Sequence, residues 1–463
     1  MTRPRGSALL GALIGVAALV GAATVSGLGF GYGSGSGHGS GASQGRTSVG
    51  RAAPASAGAW TGTWAAAPGG PEPGAPHGYP GRSLRNVVHT SVGGTSVRIT
   101  LSNRYGTGDL RIGHASVALR GPGTGGATRG TTGTEEAGTG AVDAAATTPG
   151  EGGASAVPGT MRRVTFGRSP AVTVPPGGQV VSDPVRLRVP SGGDLLVTVY
   201  TPAAGGPVTY HRYALQTSYV ARGDRTEDTG GRAYTGRTTN WRYLTAVDVL
   251  AADARGAVVT FGDSITDGVG SRPGANHRWP DDLAARLRDR HIGVLNEGIG
   301  GNRLLGSGVR RGKGASGLVR FRGDVLDRAG VRAVVVDLGI NDILAGRERD
   351  PGRIVGALKE LTAQAHGRGL RVIGSTLTPF GGYSGYTTAG ERVRRQVNAA
   401  IRAGGVFDDV VDFDRALRDP HAPDRLFPAY DSGDHLHPSD AGYRVMARTL
   451  DLGVLEARSP AQL

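Results

Sequence analysis

Apolar and polar positions alternate differently in the two halves of the chain. In the first half, short runs with a period of two residues, separated by Gly, Pro and Asn, lie at 97–101, 110–119, 172–174, 185–189 and 195–200. This alternation is typical of antiparallel strands that bury one face. We therefore predict an all-β, β-sandwich-like domain over residues 58–250.

The second half replaces this alternation with continuous apolar runs and helical patterns. The apolar runs lie at 258–261, 294–299, 331–338, 372–377 and 410–413. The helical patterns between and after them lie at 279–290, 318–329, 352–367, 389–403 and 438–451. Strands that alternate with helices indicate βαβ units and a parallel sheet covered on both faces. The pattern predicts a three-layer α/β/α sandwich over 251–455, followed by a tail at 456–463.

Three segments have little capacity to form a core. Arg3 and Arg5 precede an uncharged stretch at 8–30, so residues 1–30 are typical of a secretory signal peptide. The same length also suits an uncleaved membrane anchor, and both interpretations stay open. Residues 31–57, rich in Gly, Ser and Ala, predict a flexible linker. Residues 121–160 predict a disordered insertion in the β-sandwich-like domain, because they contain almost no large apolar side chain.

Composition narrows the functional classes. The formal net charge is +14, but only two of the basic residues are lysines and the arginines are spread along the chain without a dense run. This distribution favours compositional bias over a nucleic-acid-binding patch, while association with an acidic cell-wall polymer stays open. The sequence has no cysteine, which excludes thiol catalysis, thiolate metal ligands and disulfides. If it is exported, the protein must rely on its hydrophobic core for stability.

The residues with candidate chemistry follow the predicted strands of the second half. Gly262-Asp263-Ser264 comes directly after the apolar run 257–261. This turn would place Ser264 at the carboxyl end of a parallel strand, where open α/β sheets bind their ligands. We take Ser264 as the candidate nucleophile, although Gly, Asp and Ser are also ordinary turn residues.

Two further strand ends carry groups that can stabilise a developing negative oxygen. Glycines in the stretch 296–302 would let backbone N–H groups approach a ligand closely, and the alternative is a simple tight turn. In the stretch 338–342, Asn341 could direct its amide N–H at the same oxygen, and the alternative is a helix cap.

The fourth stretch, 432–438, holds a candidate base and its partner. His437 lies three residues after Asp434 and directly before Pro438, so one loop can supply a general base and the carboxylate that orients it. The neighbouring Asp431 and His435 form an alternative pair. Two histidines can also indicate a metal site, but no further ligand cluster lies at a useful spacing, so we expect no metal.

Together, these four stretches, in this order and at successive strand ends, resemble the SGNH hydrolase family, also called GDSL-type esterases and lipases. The resemblance covers residues 255–452 and implies an SGNH-type α/β/α sandwich. It implies Ser264 as the nucleophile, with Asp434 and His437 completing the catalytic triad. It also implies an oxyanion hole made by the N–H groups of Ser264 and Gly301 and the side chain of Asn341.

Some positions leave this resemblance less definite. Gly300 stands beside Gly301 as an alternative oxyanion donor. Asn302 occupies a position where many relatives carry an acid, which would change how the loop is braced. The Trp-Thr-Gly-Thr-Trp stretch at 60–64 and the all-β first half look like those of secreted actinobacterial members.

The resemblance implies a secreted serine esterase that works through an acyl-enzyme without a metal or organic cofactor. We expect its substrates to be small-molecule or polysaccharide esters, with short-chain or acetyl esters of carbohydrates or aryl alcohols favoured. A lipase acting on longer acyl chains is the alternative within the same chemistry. A non-catalytic carbohydrate-binding or cell-wall-binding protein is the alternative from a different class.

Overall fold

The computed structural model describes residues 60–121 and 153–456. The predicted signal or anchor at 1–30, the predicted linker at 31–57, most of the predicted insertion and nearly all of the tail lie outside these residues. Among the described residues, no helix is long and apolar enough to cross a membrane.

The described residues up to 250, called the β region below, consist of short strands. They are β1 (Trp60–Ala65), β2 (Gly70–Pro71), β3 (Arg82–His89), β4 (Gly94–Ser102), β5 (Leu110–Ile112), β6 (His114–Leu119), β7 (Arg162–Val164), β8 (Val172–Val174), β9 (Gln179–Val181), β10 (Val185–Val189), β11 (Asp194–Thr201), β12 (Thr209–His211), β13 (Ser218–Arg222), β14 (Gly236–Thr238), β15 (Trp241–Arg242) and β16 (Leu244–Leu250).

Two antiparallel sheets dominate the β region. One has the order β1-β16-β4-β10, with β9 also paired to β4, and the other has the order β14-β13-β3-β11-β6-β7. Side chains from both sheets form one core, with Val97 and Ile99 from the first and Leu195 and Val197 from the second. Two packed antiparallel sheets with a shared interior form a β-sandwich, as the alternating pattern predicts.

The structure changes two details of the sequence prediction in this region. The run 110–119 is two strands, because the chain leaves β5 at Gly113 and β6 joins a different sheet. The prediction included residues 153–160 in a disordered insertion, but the first part of this segment is packed: Ala154 and Ala156 are buried in one cluster with Leu196. The carbonyl of Ala154 also accepts a hydrogen bond from Arg85 (2.6 Å). Described structure therefore resumes at 153 rather than after 160.

The described residues from 251 to 456, called the α/β region below, alternate strands and helices. The strands are β17 (Ala257–Gly262), β18 (Gly293–Gly298), β19 (Val331–Asp337), β20 (Arg371–Ser375) and β21 (Asp409–Val411). The helices are α1 (Ser264–Asp267), α2 (Trp279–Leu287), α3 (Gly317–Phe321), α4 (Ile340–Leu344), α5 (Pro351–His366), α6 (Thr388–Arg402), α7 (Phe413–Leu417), α8 (Asp440–Thr449) and α9 (Leu452–Glu456).

The strands form one parallel sheet in the order β18-β17-β19-β20-β21, with helices on both faces. Neighbouring side chains of β17 point to opposite sides. Val258 packs in the core formed with α2 and α8, whereas Val259 packs in the core formed with α5 and α6. Burial on both faces explains why these strands read as continuous apolar runs. The predicted three-layer α/β/α sandwich is confirmed.

The β region packs directly against the α/β region along β1 and β18. The Ser91 hydroxyl accepts a hydrogen bond from the Val294 N–H (2.9 Å), and the Gly62 N–H donates to the Ala329 carbonyl (3.0 Å). A Cβ on Gly293 would lie 2.2 Å from the Gly62 carbonyl oxygen, so the two backbones approach too closely for a side chain there. Ala65 also shares a core with the α/β region.

Candidate active site

The turn between β17 and α1 holds Ser264 at the start of a helix. A Cβ on Gly262 would lie 2.2 Å from the Thr266 hydroxyl, so this tight turn requires glycine. Asp263 caps α1 by accepting a hydrogen bond from the Ile265 N–H (3.1 Å). As the first residue of the helix, Ser264 has no preceding turn to accept its N–H, which stays available to a ligand.

Ser264, His437 and Asp434 form a continuous chain of hydrogen bonds. The His437 Nε2 lies 2.8 Å from the Ser264 Oγ, and the His437 Nδ1 lies 2.5 Å from an Asp434 carboxylate oxygen. The other Asp434 oxygen accepts hydrogen bonds from the backbone N–H groups of His437 (2.8 Å) and Leu436 (3.0 Å). The carboxylate is thus fixed by its own loop, and it fixes the orientation of the imidazole.

The electrostatics of this loop keep Asp434 ionised. Burial raises the pKa of Asp434, but the hydrogen bond and the charge of His437, together with the backbone donors, outweigh that effect and hold the pKa well below its ordinary value. The Asp434 side chain is 46% exposed, whereas the His437 side chain is 13% exposed. The imidazole is therefore largely shielded from solvent while its carboxylate partner remains partly solvated.

The alternative pair, Asp431 and His435, lies beside this chain but does not join it. The His435 Nδ1 lies 2.6 Å from Asp431, which also accepts the backbone N–H groups of Gly433 (2.8 Å) and His435 (3.0 Å). The His435 side chain is 51% exposed and makes no hydrogen bond to Ser264. This geometry favours His437 as the base and gives Asp431 a role in shaping the loop.

In the loop at residues 298–302, called the glycine loop below, the two candidate oxyanion donors differ in the hydrogen bonds that their N–H groups make. The Gly300 N–H already donates to the Asp267 carboxylate (2.8 Å). The Gly301 N–H has no acceptor among the described residues. Gly301 has a φ of +72°, and a Cβ there would lie 3.0 Å from the Lys313 side chain. The geometry therefore favours Gly301 over Gly300 as the free donor.

Asn341 lies on α4, and its amide makes no well-formed hydrogen bond among the described residues. The cap of α4 is Gly339, so Asn341 does not serve as the helix cap that its position also suggested. Its Nδ2 is buried and makes no hydrogen bond of ordinary geometry in the described part of the chain, although its side chain lies near enough to Asp263 to oppose the rise in the pKa of that carboxyl. Buried polar groups without well-formed hydrogen bonds are rare in folded proteins, and a catalytic role is one of the explanations for them.

Strand register brings these groups to one edge of the sheet. Gly262 is paired with Gly298 on one side and with Asp337 on the other. Ser264, the glycine loop and Asn341 follow these three paired positions within a few residues. They therefore emerge from neighbouring strand ends at the same level, as ligand sites of parallel sheets do.

The glycine loop is braced from below by Asn302 and Arg320. The buried Asn302 amide donates to the carbonyls of Lys313 (2.7 Å) and Ala315 (2.8 Å), and its Oδ1 accepts from the Arg320 Nε (2.9 Å). Arg320 also donates to the Gly262 carbonyl (2.7 Å), which ties the glycine loop to the turn that carries Ser264. The amide of Asn302 thus braces the loop through both its oxygen and its nitrogen.

Two buried carboxylates lie beneath the site. Burial, followed by the charge of Asp337, raises the pKa of Asp263 well above its ordinary value. Burial also raises the pKa of Asp337, which accepts hydrogen bonds from the hydroxyls of Ser375 (2.7 Å) and Thr266 (2.9 Å). These groups belong to the packed floor of the site. Asp337 lies in no sequence motif that could have predicted its place beneath the site.

The β region supplies residues that sequence reasoning missed. The His211 Nε2 lies 3.0 Å from Asp267, the last residue of the helix that begins with Ser264. The Tyr213 ring lies against the glycine loop, since a Cβ on Gly300 would be 2.5 Å from it. No local pattern marks either residue, because both lie about 50 positions before Ser264 and reach the site only through the fold.

The described residues hold no group of three or more His, Asp and Glu side chains arranged for a metal ion.

Comparison with known proteins identifies related sequences and folds. Residues 260–445 match the model of the GDSL-like Lipase/Acylhydrolase family. Among solved structures, the chain is similar to a carbohydrate acetylesterase from Sinorhizobium meliloti (18% identity, 42% of this chain and 95% of that chain, TM-score 0.34). It is also similar to the native M. smegmatis aryl esterase (19% identity, 42% of this chain and 94% of that chain, TM-score 0.34).

A GDSL-like lipase from Bacteroides thetaiotaomicron VPI-5482 is a further similar structure (19% identity, 43% of this chain and 87% of that chain, TM-score 0.32). No curated protein matches the sequence. The family match covers Ser264, the glycine loop, Asn341 and the loop that carries His437.

Proposed function

We propose that residues 260–445, a GDSL-like lipase/acylhydrolase domain and hence a carboxylic ester hydrolase, act through Ser264 as the nucleophile. The observation that carries this proposal is the hydrogen-bond chain from Ser264 through His437 to Asp434. A serine with an aligned base and a carboxylate behind that base is the arrangement that activates a hydroxyl for attack on a carbonyl carbon.

The hydrogen-bond partners define the tautomer of His437. The ionised Asp434 carboxylate can only accept, so the hydrogen of the neutral imidazole resides on Nδ1. The Nε2 lone pair then faces the Ser264 hydroxyl at 2.8 Å and is placed to take its proton. Asp434 stabilises the imidazolium that forms without itself taking the proton.

In the first half of the reaction, the Ser264 Oγ attacks the ester carbonyl carbon while its proton passes to the His437 Nε2. The carbonyl oxygen becomes an oxyanion, which the N–H groups of Ser264 and Gly301 and the Asn341 amide stabilise. When the tetrahedral intermediate collapses, the carbon–oxygen bond to the alcohol breaks and the alcohol leaves with the proton from His437. This step leaves an acyl-enzyme on Ser264.

Water completes the reaction by the same steps in reverse order. His437 takes a proton from a water molecule, and the resulting hydroxide attacks the acyl carbon. The intermediate collapses with cleavage of the bond to Ser264, whose oxygen recovers a proton from His437. The carboxylic acid leaves, and the free enzyme is restored.

For the substrate, we favour acetyl or other short-chain esters of carbohydrates or aryl alcohols. The partly buried Tyr383 and Tyr386 pack in one cluster with Ile340 and Leu436, the immediate neighbours of Asn341 and His437. Tyrosine presents an apolar ring face together with a polar hydroxyl, and this combination suits a sugar ring or an aryl group.

Chain-length preference tests this proposal against its alternatives. We would measure hydrolysis of a p-nitrophenyl ester series from acetate to palmitate, with Ser264→Ala as the control. Preference for acetate, lost in the Ser264→Ala variant, is the expected result. Preference for long chains would replace the short-chain assignment with that of a lipase. Failure of the folded protein to cleave any ester would favour the carbohydrate-binding or cell-wall-binding alternative.

We also propose that the protein is exported, because Arg3, Arg5 and the uncharged stretch at 8–30 form a secretory signal pattern. Release of a protein shortened at its amino terminus into the medium is the expected result of fractionation and amino-terminal sequencing. Recovery of the intact chain in the membrane fraction would favour the uncleaved anchor. A cell-wall fraction containing the mature protein would support cell-wall association.

A further inference from the structure

We propose that His211, supplied by the β region, is a positioning residue for the oxyanion hole: it holds Asp267, and Asp267 holds Gly300 beside the donor Gly301. This inference rests on the proposed function, since it assigns the β region a part in the same reaction.

One carboxylate joins three parts of the molecule. The His211 Nε2 lies 3.0 Å from one Asp267 oxygen, and the Gly300 N–H donates to the other (2.8 Å). The side chains of His211 and Asp267 are only 5% and 4% exposed. Because Asp267 ends the helix that Ser264 begins, this carboxylate links the nucleophile helix, the glycine loop and the β region.

The hydrogen-bond partners of His211 require its charged form. Its Nδ1 lies 2.8 Å from the Ala67 carbonyl oxygen, and its Nε2 faces the Asp267 carboxylate. Both partners are acceptors, so each ring nitrogen must carry a hydrogen while Asp267 is ionised. Burial lowers the pKa of His211, but the charge and the hydrogen bond of Asp267 outweigh that effect and raise it. The result is a buried ion pair with charge-assisted hydrogen bonds.

The surroundings of His211 keep the ion pair in place. The Trp241 ring lies 5.3 Å from the imidazole, and the Arg278 guanidinium donates to the Ala214 carbonyl just beyond β12 (3.3 Å). The Tyr213 ring covers the outer side of Gly300. The adjacent cavity, which His211 and Asp267 line together with Trp241 and Arg278, has a volume of about 30 Å³.

This arrangement affects chemistry because an oxyanion hole acts only when its donors are already in place. Without an acceptor for its N–H, Gly300 can rotate its peptide, and Gly301 follows through the shared backbone. The charge that these donors stabilise develops only in the transition state. Loss of the brace should therefore lower kcat and leave KM almost unchanged.

The experiment compares four variants on p-nitrophenyl acetate, with thermal unfolding as the measure of folding. We expect His211→Ala and Asp267→Ala each to lower kcat by about 10- to 100-fold, which is less than complete loss of one oxyanion donor. In the double variant the two losses should not add, because both substitutions break the same chain of contacts. Asp267→Asn should retain most of the activity, because its amide can still accept from Gly300 and donate to a neutral His211.

His89→Ala is the matched control. His89 lines the same cavity, but its ring pairs with Asp194 of the β region at 2.8 Å and makes no contact with Asp267. We expect this variant to keep the wild-type kcat. An equal loss of kcat in His89→Ala would show that any disturbance of the cavity lowers activity, and it would overturn the specific role of His211.

A folded His211→Ala protein with unchanged kcat would overturn the inference. If His211→Ala fails to fold, the two Asp267 variants carry the test, and equal kcat values in Asp267→Asn and Asp267→Ala would overturn it. Failure of the proposed function is distinguishable, because it would appear as ester hydrolysis that persists in Ser264→Ala. If Ser264→Ala were inactive and His211→Ala fully active, the proposed role of His211 would be wrong, and the proposed role of Ser264 would stand.

Discussion

Replacement of Asn341 by alanine should separate the catalytic contribution of its amide from its contribution to folding. The Nδ2 group is buried and has no hydrogen bond of ordinary geometry in the described part of the chain. A buried donor without a partner costs about 1–3 kcal/mol of folding free energy. Removal of the amide regains part of this cost but loses some packing and its interaction with Asp263, so the free energy of unfolding should change by less than about 1 kcal/mol.

The same substitution should strongly impair catalysis. If Asn341 stabilises the oxyanion, its removal should lower kcat by about 10²- to 10³-fold, which corresponds to about 2.7–4 kcal/mol in the activation barrier. KM should change little, because the neutral carbonyl of the bound ester attracts this donor much less than the oxyanion does. The expected combination is a stable protein with low turnover.

Asn398 provides a matched control on α6. It is also a buried asparagine, but its amide is fully used: the Oδ1 accepts from the Leu377 N–H (2.8 Å) and the Nδ2 donates to the Leu377 carbonyl (2.8 Å). Asn398→Ala leaves the buried Leu377 N–H without a partner, whereas the Leu377 carbonyl keeps its hydrogen bond from Arg394 (2.9 Å), so the variant should lower the free energy of unfolding by about 1–3 kcal/mol. The kcat of its folded fraction should remain at the wild-type value.

The assay pairs initial rates on p-nitrophenyl acetate with urea unfolding followed by tryptophan fluorescence. Opposite outcomes are expected for the two variants, with kcat lost in Asn341→Ala and stability lost in Asn398→Ala. If Asn341→Ala lost as much stability as Asn398→Ala and kept its kcat, Asn341 would be a structural residue, and the reasoning from its unused amide would be refuted.

Three further predictions test the rest of the site. His437→Ala should lower kcat by on the order of 10⁴-fold or more, whereas His435→Ala should leave it almost unchanged, and similar losses in both would contradict the choice between the two pairs. Because the native pKa of Asp434 is lowered, its carboxylate stabilises the fold above the unfolded pKa and loses that effect as pH falls through the native pKa. Urea unfolding of Asp434→Asn should therefore depend less on pH below about pH 4 than unfolding of the wild type, and an unchanged dependence would argue against this ionisation. Gly300→Ala should lower kcat, since its Cβ would lie 2.5 Å from the Tyr213 ring, and a second change, Tyr213→Ala, should restore part of the activity if that clash is the cause.

Local patterns predicted the elements whose burial is regular. Strand β10 matches its sequence run because alternate residues are buried and exposed along its whole length. Strand β17 reads as a continuous apolar run because Val258 and Val259 face different cores. The parallel sheet and the four strand-end stretches followed from such runs, since the end of a strand is a local feature of the sequence.

Other elements depend on partners far away in the chain. Strand β3 buries Arg85 and Asn86, and these polar residues interrupt the alternation of apolar and polar positions that would predict a strand. Arg85 is satisfied by Thr198 and by carbonyls more than 60 positions away, so no local signal could show that it is buried. The pattern at 318–329 predicted one helix, but α3 ends at Phe321 and a π-helical turn follows at 322–326.

The residues of the candidate site likewise divide into those with a local sequence signal and those that depend on distant contacts. The stretches with Ser264, Asn341 and His437 could be found from the sequence because each follows a strand or precedes a helix. The link from His211 through Asp267 to Gly300 could not, because it depends on how the β region packs against β18 and α1. A search confined to the motif-bearing half would miss the residues that brace it.

Covalent trapping is the most direct test of the central claim that Ser264 is the nucleophile. The protein would be treated with a fluorophosphonate ester, which forms a stable bond to an activated serine, and the adduct would be located by peptide mass spectrometry. The account predicts one adduct on the peptide that contains Ser264, with loss of both labelling and ester hydrolysis in Ser264→Ala. An adduct on another residue, or ester hydrolysis that persists in Ser264→Ala, would contradict it.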